Sequence, residues 1–122
     1  MTQGADGYIR PGYETRPLPD FPHAPVDWSP QDAEELARRE GLALTEDHWE
    51  VVRGLQELYA RSGESVMRAR DLHDALEEHF HFKGGIKFLY LLLPKGPVAQ
   101  GCLLAGLQAP SGSQDQGFGS AV

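Results

Sequence analysis

The feature that most constrains this chain is a proline and glycine break inside its most apolar region. Residues 88–110 read FLYLLLPKGPVAQGCLLAGLQAP, and the PKGP sequence at 94–97 separates two short apolar runs. Proline interrupts a helix from within but fits the first turn of a new one. The pattern therefore predicts two short helices, at 86–93 and 97–105. The first is apolar nearly all round, so we expect it to be buried.

Capping signals predict three more helices upstream. A serine followed by proline begins the first, at 29–41, and a threonine followed by two acids begins the second, at 45–63. Ser65 is the candidate N-cap of a third, which runs to 81 before a pair of glycines. The predicted fold is all-α or mainly α. It is a small orthogonal helical bundle whose core resembles a helix-turn-helix at 65–93.

The two ends of the chain differ in composition from the helical part. Residues 1–28 are rich in proline and poor in aliphatic side chains, which predicts an extended, irregular lead-in. Residues 110–122 are rich in Gly, Ser and Gln, which is typical of a flexible tail. The predicted helical domain therefore spans 29–109, between these two segments.

The net charge of −7 is unevenly spread. Residues 29–81 carry thirteen acids against six arginines, whereas residues 82–114 carry no acid and three lysines, Lys83, Lys87 and Lys95. An acidic body disfavours non-specific binding to nucleic acid, so direct contact with nucleic acid is not expected. The lysine segment could steer an anionic partner surface.

Neither a membrane span nor a disulfide is expected from the sequence. The apolar run at 88–94 is far too short to cross a bilayer, and the opening residues lack the apolar run of a signal peptide. The chain has one cysteine, Cys102, so it cannot form an intramolecular disulfide. We therefore expect a cytoplasmic protein without membrane insertion.

The sequence gives only weak signs of a metal site or a catalytic centre. His73 and Glu77 have the i, i+4 spacing of a helical metal pair, but His79 and His81 point to other faces and no second cluster completes a set. We expect no metal and no cofactor. No base or orienting group is selected for Cys102, so a self-contained catalytic centre is not predicted.

Cys102 can be read in two ways. A free cysteine is commonly a small buried hydrophobe. Alternatively, Gly101 beside it removes a side chain and could leave the sulfur accessible, and nearby lysines could lower its pKa.

Two separated motifs resemble one known family. FLYLLLPKGPVAQGCLLAGLQAPSG at 88–112 is similar to the C-terminal signature of the DsrC/TusE family of sulfur-relay proteins, roughly YLY-x-LFPKGPAKQAC-x-x-AGLP-x-PTGCV. LTEDHWEVVRGLQELY at 44–59 resembles the upstream segment of that family, and the tryptophan of VDWSP at 26–30 stands where the family has one. The resemblance covers about residues 26–113.

The resemblance implies a function and a set of partners. Members are small α-rich proteins with a flexible C-terminal arm, and they carry sulfur on arm cysteines rather than catalyse a reaction alone. TusE-like members pass sulfur from a TusBCD-like relay complex towards tRNA thiolation. DsrC-like members meet sulfite reductase in dissimilatory sulfur metabolism. The implied partner is therefore a sulfurtransferase, a relay complex or a sulfite-reductase-type protein.

The chain departs from the family at the sulfur-carrying position. Aligning AGLQAPSGS with the family pattern places Ser113 where members have their penultimate cysteine, while the upstream cysteine is retained as Cys102. The resemblance thus makes Cys102 the candidate sulfur-accepting residue. Docking is predicted through the surface of Lys83, Lys87 and Lys95, with Gly96 and Pro97 as a stiff hinge beside it.

Three hypotheses remain open from the sequence. The chain is a single-thiol sulfur carrier, or a non-catalytic paralogue that docks on a sulfur-metabolism partner and regulates it. The third alternative is a helix-turn-helix regulator. It is the weaker one, because the helix at 86–93 offers only Lys87 as a contact to DNA.

Overall fold

The computed structural model describes residues 14–62 and 68–110 and confirms a mainly α-helical fold. Between those bounds the regular elements are five α-helices and one 3₁₀ turn at His81–Lys83. The helices are α1 (Pro30–Glu40), α2 (Glu46–Arg61), α3 (Ala69–His79), α4 (Gly85–Leu92) and α5 (Pro97–Ala105). In the same ranges, extended pairing is limited to two isolated bridges, Thr15 with Pro25 and Leu18 with Phe21.

The capping signals located the first helix correctly. The backbone N–H of Ser29 donates to the Asp32 carboxylate at 3.0 Å, so the acid of the first turn closes the N-terminus. The helix ends at Gly41, which adopts φ 75° in the left-handed region that favours glycine. The predicted start and stop of α1 are both confirmed.

The second helix begins as predicted, but its cap is unusual. Thr45 is the N-cap, and the residue three positions later that accepts its backbone N–H is His48, through Nδ1 at 3.0 Å. His48 Nε2 therefore carries the proton and donates to the Leu92 carbonyl at 2.8 Å. This buried imidazole ties the start of α2 to the end of α4.

The third helix starts later than the Ser65 signal predicted. Gly63 and Ser65, the predicted end of one helix and start of the next, lie outside the described residues. Within them, α2 runs to Arg61 and α3 begins at Ala69. The N-cap is Arg68, whose backbone N–H donates to the Asp71 carboxylate at 3.3 Å.

Helix α5 is the centre of the bundle. It packs against α1, α2, α3 and α4, and eight of its nine residues are buried. The free carbonyls at its C-terminus are satisfied by side chains from two other parts of the fold. Trp28 Nε1 donates to the Leu104 carbonyl at 2.8 Å, and Gln56 Nε2 donates to the Ala105 carbonyl at 3.0 Å.

The segment before α1 is part of this core. Phe21 and Trp28 are both buried, and their rings meet edge to face with centroids 5.1 Å apart. The two isolated bridges fold residues 15–25 back on themselves. The described part of the lead-in, residues 14–28, thus has no helix and packs on the helices rather than extending away from them.

Helix α4 is less buried than its composition predicted. Only Gly85, Leu89 and Leu92 of its eight residues are buried. Tyr90 is 42% exposed and Leu91 is 80% exposed, so the expectation of a fully buried helix was wrong. The physical reason is that one face of α4 packs on the bundle, and no other described element covers the opposite face.

No single helix within residues 14–62 and 68–110 is long and apolar enough to cross a membrane. Helices α4 and α5 meet the length and composition test only as a pair, bent by 52° at the break between them.

Candidate functional site

Cys102 lies in the second turn of α5, inside the core. Its exposure is 0%, and burial raises the pKa of its thiol to about 12 from an ordinary 9.0. Of the two readings, the one in which nearby lysines lower this pKa is not found: desolvation dominates, and no lysine contributes. At neutral pH the thiol is therefore protonated in this conformation, and its thiolate is strongly disfavoured.

The accessible thiol predicted from Gly101 is also not found. Gly101 is buried against α2, where a Cβ atom would come within 2.9 Å of Leu55 Cδ1 and 3.2 Å of Val51 Cγ1. The missing side chain thus lets α5 approach α2 closely. It does not open a path to the sulfur.

Tyr59 is the polar neighbour of the thiol. Its hydroxyl lies 3.8 Å from Cys102 Sγ and donates to the Gln108 carbonyl at 2.6 Å. The hydroxyl lowers the thiol pKa, but less than burial raises it. The sequence does not predict this contact, because 43 residues separate the two side chains.

Residues 106–110, which we call the arm base, leave the core beside this thiol. Gly106 adopts φ 76°, and a Cβ atom there would lie 2.6 Å from the Trp28 ring. Leu107 is buried and its N–H donates to the Cys102 carbonyl at 2.9 Å. Trp28 and Tyr59 thus hold the arm base from two sides. Ser113, the residue aligned with the family's sulfur-carrying position, lies outside the described residues.

The predicted docking lysines are spread along α4 rather than gathered. Lys83 precedes α4 and Lys95 follows it. The eight residues of α4 between them span about 12 Å. Lys83 Nζ lies 2.7 Å from Asp47 Oδ1, and this contact raises the pKa of the ammonium. Lys95 Nζ lies 3.0 Å from Glu40 Oε1. Lys87 is exposed on α4.

Gly96 and Pro97 are buried, so they shape the turn before α5 rather than form a surface for docking. Gly96 has φ 110°, a conformation that favours glycine, and Pro97 occupies the first turn of α5. Gln100 closes the same turn: its Oε1 accepts the Lys95 N–H at 3.0 Å, and its Nε2 donates to Glu40 at 3.2 Å.

The histidines proposed and rejected as metal ligands lie apart. His73 packs near Tyr90, with ring centroids 6.4 Å apart, while His79 Nε2 lies 3.4 Å from Glu50 Oε1. In the part of the chain that the structure describes, no three His, Cys, Asp or Glu side chains are grouped as a metal site would need.

An open cavity of about 360 Å³ lies between α3, α4 and the start of α5. Arg70, His73 and Tyr90 contribute to its walls, and Val98 and Ala99 to its floor. Cys102 does not line it. The cavity therefore gives no access to the thiol.

Comparison with known proteins identifies the family. The model of the DsrC like protein family matches residues 20–113, which include both quoted motifs and Ser113. The sulfurtransferase TusE of Yersinia pseudotuberculosis is 39% identical over 85 residues, covering 70% of this chain and 79% of the relative. The sulfurtransferase TusE of Escherichia coli O6:H1 is 40% identical over 84 residues, covering 68% and 76%.

A solved structure agrees with these sequence relatives. The NMR structure of DsrC from Allochromatium vinosum matches with a TM-score of 0.61 and 32% identity, covering 91% of this chain and 96% of that one. Nothing in these likenesses favours a helix-turn-helix regulator or a docking-only paralogue. The chain belongs to the DsrC/TusE family of sulfur-relay proteins.

Proposed function

We propose that this protein is a single-thiol sulfur carrier that accepts sulfur on Cys102 from a sulfurtransferase-type relay partner. Three observations support this role. The relatives are named sulfurtransferases, the PKGP turn and α5 place the thiol beside the arm base, and the chain has no second cysteine. A TusBCD-like complex and a sulfite-reductase-type protein are the candidate partners, and the cytoplasm is the proposed compartment.

The proposed step is a transfer of sulfane sulfur between two thiols. The Cys102 thiolate attacks the terminal sulfur of a partner persulfide, R–S–SH, and the new S–S bond forms as the old one breaks. The partner leaves as a thiolate and takes up the proton that Cys102 released. The products are Cys102–S–SH and R–SH, with no net oxidation, so no external oxidant or reductant is needed.

The described conformation is the closed form of such a carrier. With a pKa of about 12 and 0% exposure, the Cys102 thiol neither ionises readily nor meets a partner sulfur. Reaction requires the arm base to leave the core. The observation that carries the closed form is the shared Tyr59 hydroxyl, which contacts Sγ and holds the Gln108 carbonyl. Opening breaks this contact and also releases the buried Leu107, whose N–H donates to the Cys102 carbonyl.

Release of the arm base from the core would change the surroundings of the Cys102 sulfur as well as let a partner reach it. An exposed cysteine titrates near its ordinary pKa of 9.0, so opening raises the thiolate fraction. Ser113 cannot substitute for Cys102 as the carrier, because a hydroxyl lacks the acidity and polarisability to hold a sulfane sulfur. The closed form would protect a loaded or unloaded thiol from adventitious oxidation.

Intact-protein mass spectrometry tests the role of Cys102. The full chain is incubated with a cysteine desulfurase system or with polysulfide, with Cys102→Ser and Ser113→Ala beside it. We expect a gain of one sulfur, about 32 Da, that reduction reverses, in the wild type and in Ser113→Ala but not in Cys102→Ser. No gain in the wild type, with a thiol that resists alkylation, would contradict the carrier proposal.

A further inference from the structure

The outer side of α4 exposes apolar side chains that a small protein would ordinarily bury. Phe82, in the turn just before α4, is 77% exposed, and Leu91 is 80% exposed. Tyr90 is 42% exposed. Together with Lys87 we call these residues the α4 outer face. Grouped exposed apolar side chains of this size are typical of an interaction surface.

The helical spacing places three of these four side chains together, and Phe82 lies in the turn that precedes the helix. Lys87, Tyr90 and Leu91 stand at positions i, i+3 and i+4, which share one side of a helix. Leu89 and Leu92, on the other side of the same helix, are buried in the core. Thus α4 is apolar on two sides but contacts the bundle with only one. Aromatic side chains are enriched at protein interfaces, which favours Phe82 and Tyr90 as anchors.

The charge of this face comes from one exposed cation, Lys87. Residues 82–114 contain no acid, although the whole chain carries a net charge of −7. Lys83 Nζ lies 5.8 Å from the centre of the Phe82 ring, at the edge of the face. Lys83 and Lys95 each contact an acid of α1 or α2, whereas Lys87 projects from the face itself and is exposed.

We propose that the α4 outer face is the docking surface for the sulfur-relay partner. The partner is a protein whose contact area offers an apolar pocket bordered by Asp or Glu side chains. This inference rests on the proposed function, because the partner is the one that delivers sulfur to Cys102. It also changes the docking prediction from three lysines to an apolar centre with one exposed lysine.

The charge pattern favours such a partner over the other candidates. A symmetric contact with a second copy would place this face against itself, with Lys87 close to its counterpart and no acid in 82–114 to offset the repulsion. An anionic membrane would attract the lysines but repel a chain of net charge −7. An acidic apolar protein surface complements both features of the face.

Binding of the full chain to the sulfurtransferase relay complex of the same organism tests the proposal. Leu91→Glu and Lys87→Glu are compared with Val26→Glu, a control that adds one negative charge at another exposed apolar position, as Leu91→Glu does. Lys87→Glu changes the charge by two units. We expect Leu91→Glu to weaken affinity at least tenfold. Lys87→Glu should slow association and reduce its dependence on salt, and Val26→Glu should stay within about twofold.

Each outcome is decisive, since all four proteins are also measured in a Cys102→Ser background. The Cys102→Ser background removes the thiol, so binding there does not depend on sulfur transfer. Loss of binding with Leu91→Glu in that background supports the docking face, whether or not Cys102 is a sulfur carrier. Equal binding of Leu91→Glu, Lys87→Glu and wild type would overturn the docking proposal. So would no binding by the wild type, or a wild-type dimer that Leu91→Glu disperses.

Discussion

Helices α4 and α5 are neighbours of similar composition, yet the fold uses them in opposite ways. Both are short, apolar and free of acid. Eight of nine residues are buried in α5 but only three of eight in α4. The difference comes from position, because α5 contacts all four other helices whereas α4 lies on one side of the bundle. Apolar composition therefore indicates that a surface will be covered, but not whether this chain or another molecule covers it.

The largest expected effect is on the α5 side, at Gly106. Gly106→Ala adds a Cβ atom at φ 76° and 2.6 Å from the Trp28 ring, so it combines backbone strain with a clash. We expect the free energy of unfolding to fall by about 2–4 kcal/mol. Urea unfolding measures it, with Gly54→Ala as the control, because a Cβ atom there meets nothing within 4 Å. An unchanged stability of Gly106→Ala would contradict the packing described for the arm base.

A second, smaller effect is the contribution of Cys102 to the pH dependence of the free energy of unfolding. The thiol has a pKa of about 12 in the native protein against 9.0 when unfolded, so above pH 9 the unfolded state loses a proton that the native state keeps. Stability therefore falls as pH rises from 9, by at most about 1.4 kcal/mol per pH unit.

The difference between wild type and Cys102→Ala isolates this slope, since every other titratable group is present in both. Urea unfolding at several pH values between neutrality and pH 10 measures it. Parallel stability curves for the two proteins would mean that the thiol is not desolvated in the native state.

The smallest expected effect is on the α4 side. Leu91→Gln replaces an 80% exposed side chain, so the free energy of unfolding should change by no more than about 0.5 kcal/mol. Leu104→Gln, at a buried position of α5, is the matched change and should cost several times more. Thermal unfolding of the two variants compares them. Equal losses would mean that α4 is covered within the chain after all.

Local signals predicted the helices well where a cap lay within a few residues. Ser29 with Pro30, Thr45 and Gly106 each marked a helix end that the structure confirms. The prediction was wrong for α4, because helical periodicity cannot show which of two apolar sides meets the core. The contact of Tyr59 with Cys102 was also beyond sequence reasoning, since it depends on how α2 and α5 pack.

The motifs around Cys102 predicted the family, and the comparisons confirm it. They could not predict the state of the thiol. A glycine beside a cysteine is equally compatible with an exposed sulfur and with a close contact between two helices. The side chains of Val51 and Leu55 lie against Gly101, so the close contact is the one that forms. Burial is a property of the assembled core, so only the structure shows that the Cys102 thiol is buried.

The rate at which native Cys102 is alkylated tests most directly whether the arm base controls the thiol. Iodoacetamide labelling of the full chain is followed by intact mass, for wild type and Tyr59→Phe, with Tyr90→Phe as a control on the α4 side. Tyr59→Phe keeps the ring but removes the hydroxyl that holds Gln108. We predict labelling about tenfold faster in Tyr59→Phe than in the other two proteins, in line with one lost hydrogen bond. Equal rates in all three would contradict a thiol that the Tyr59 contact keeps closed.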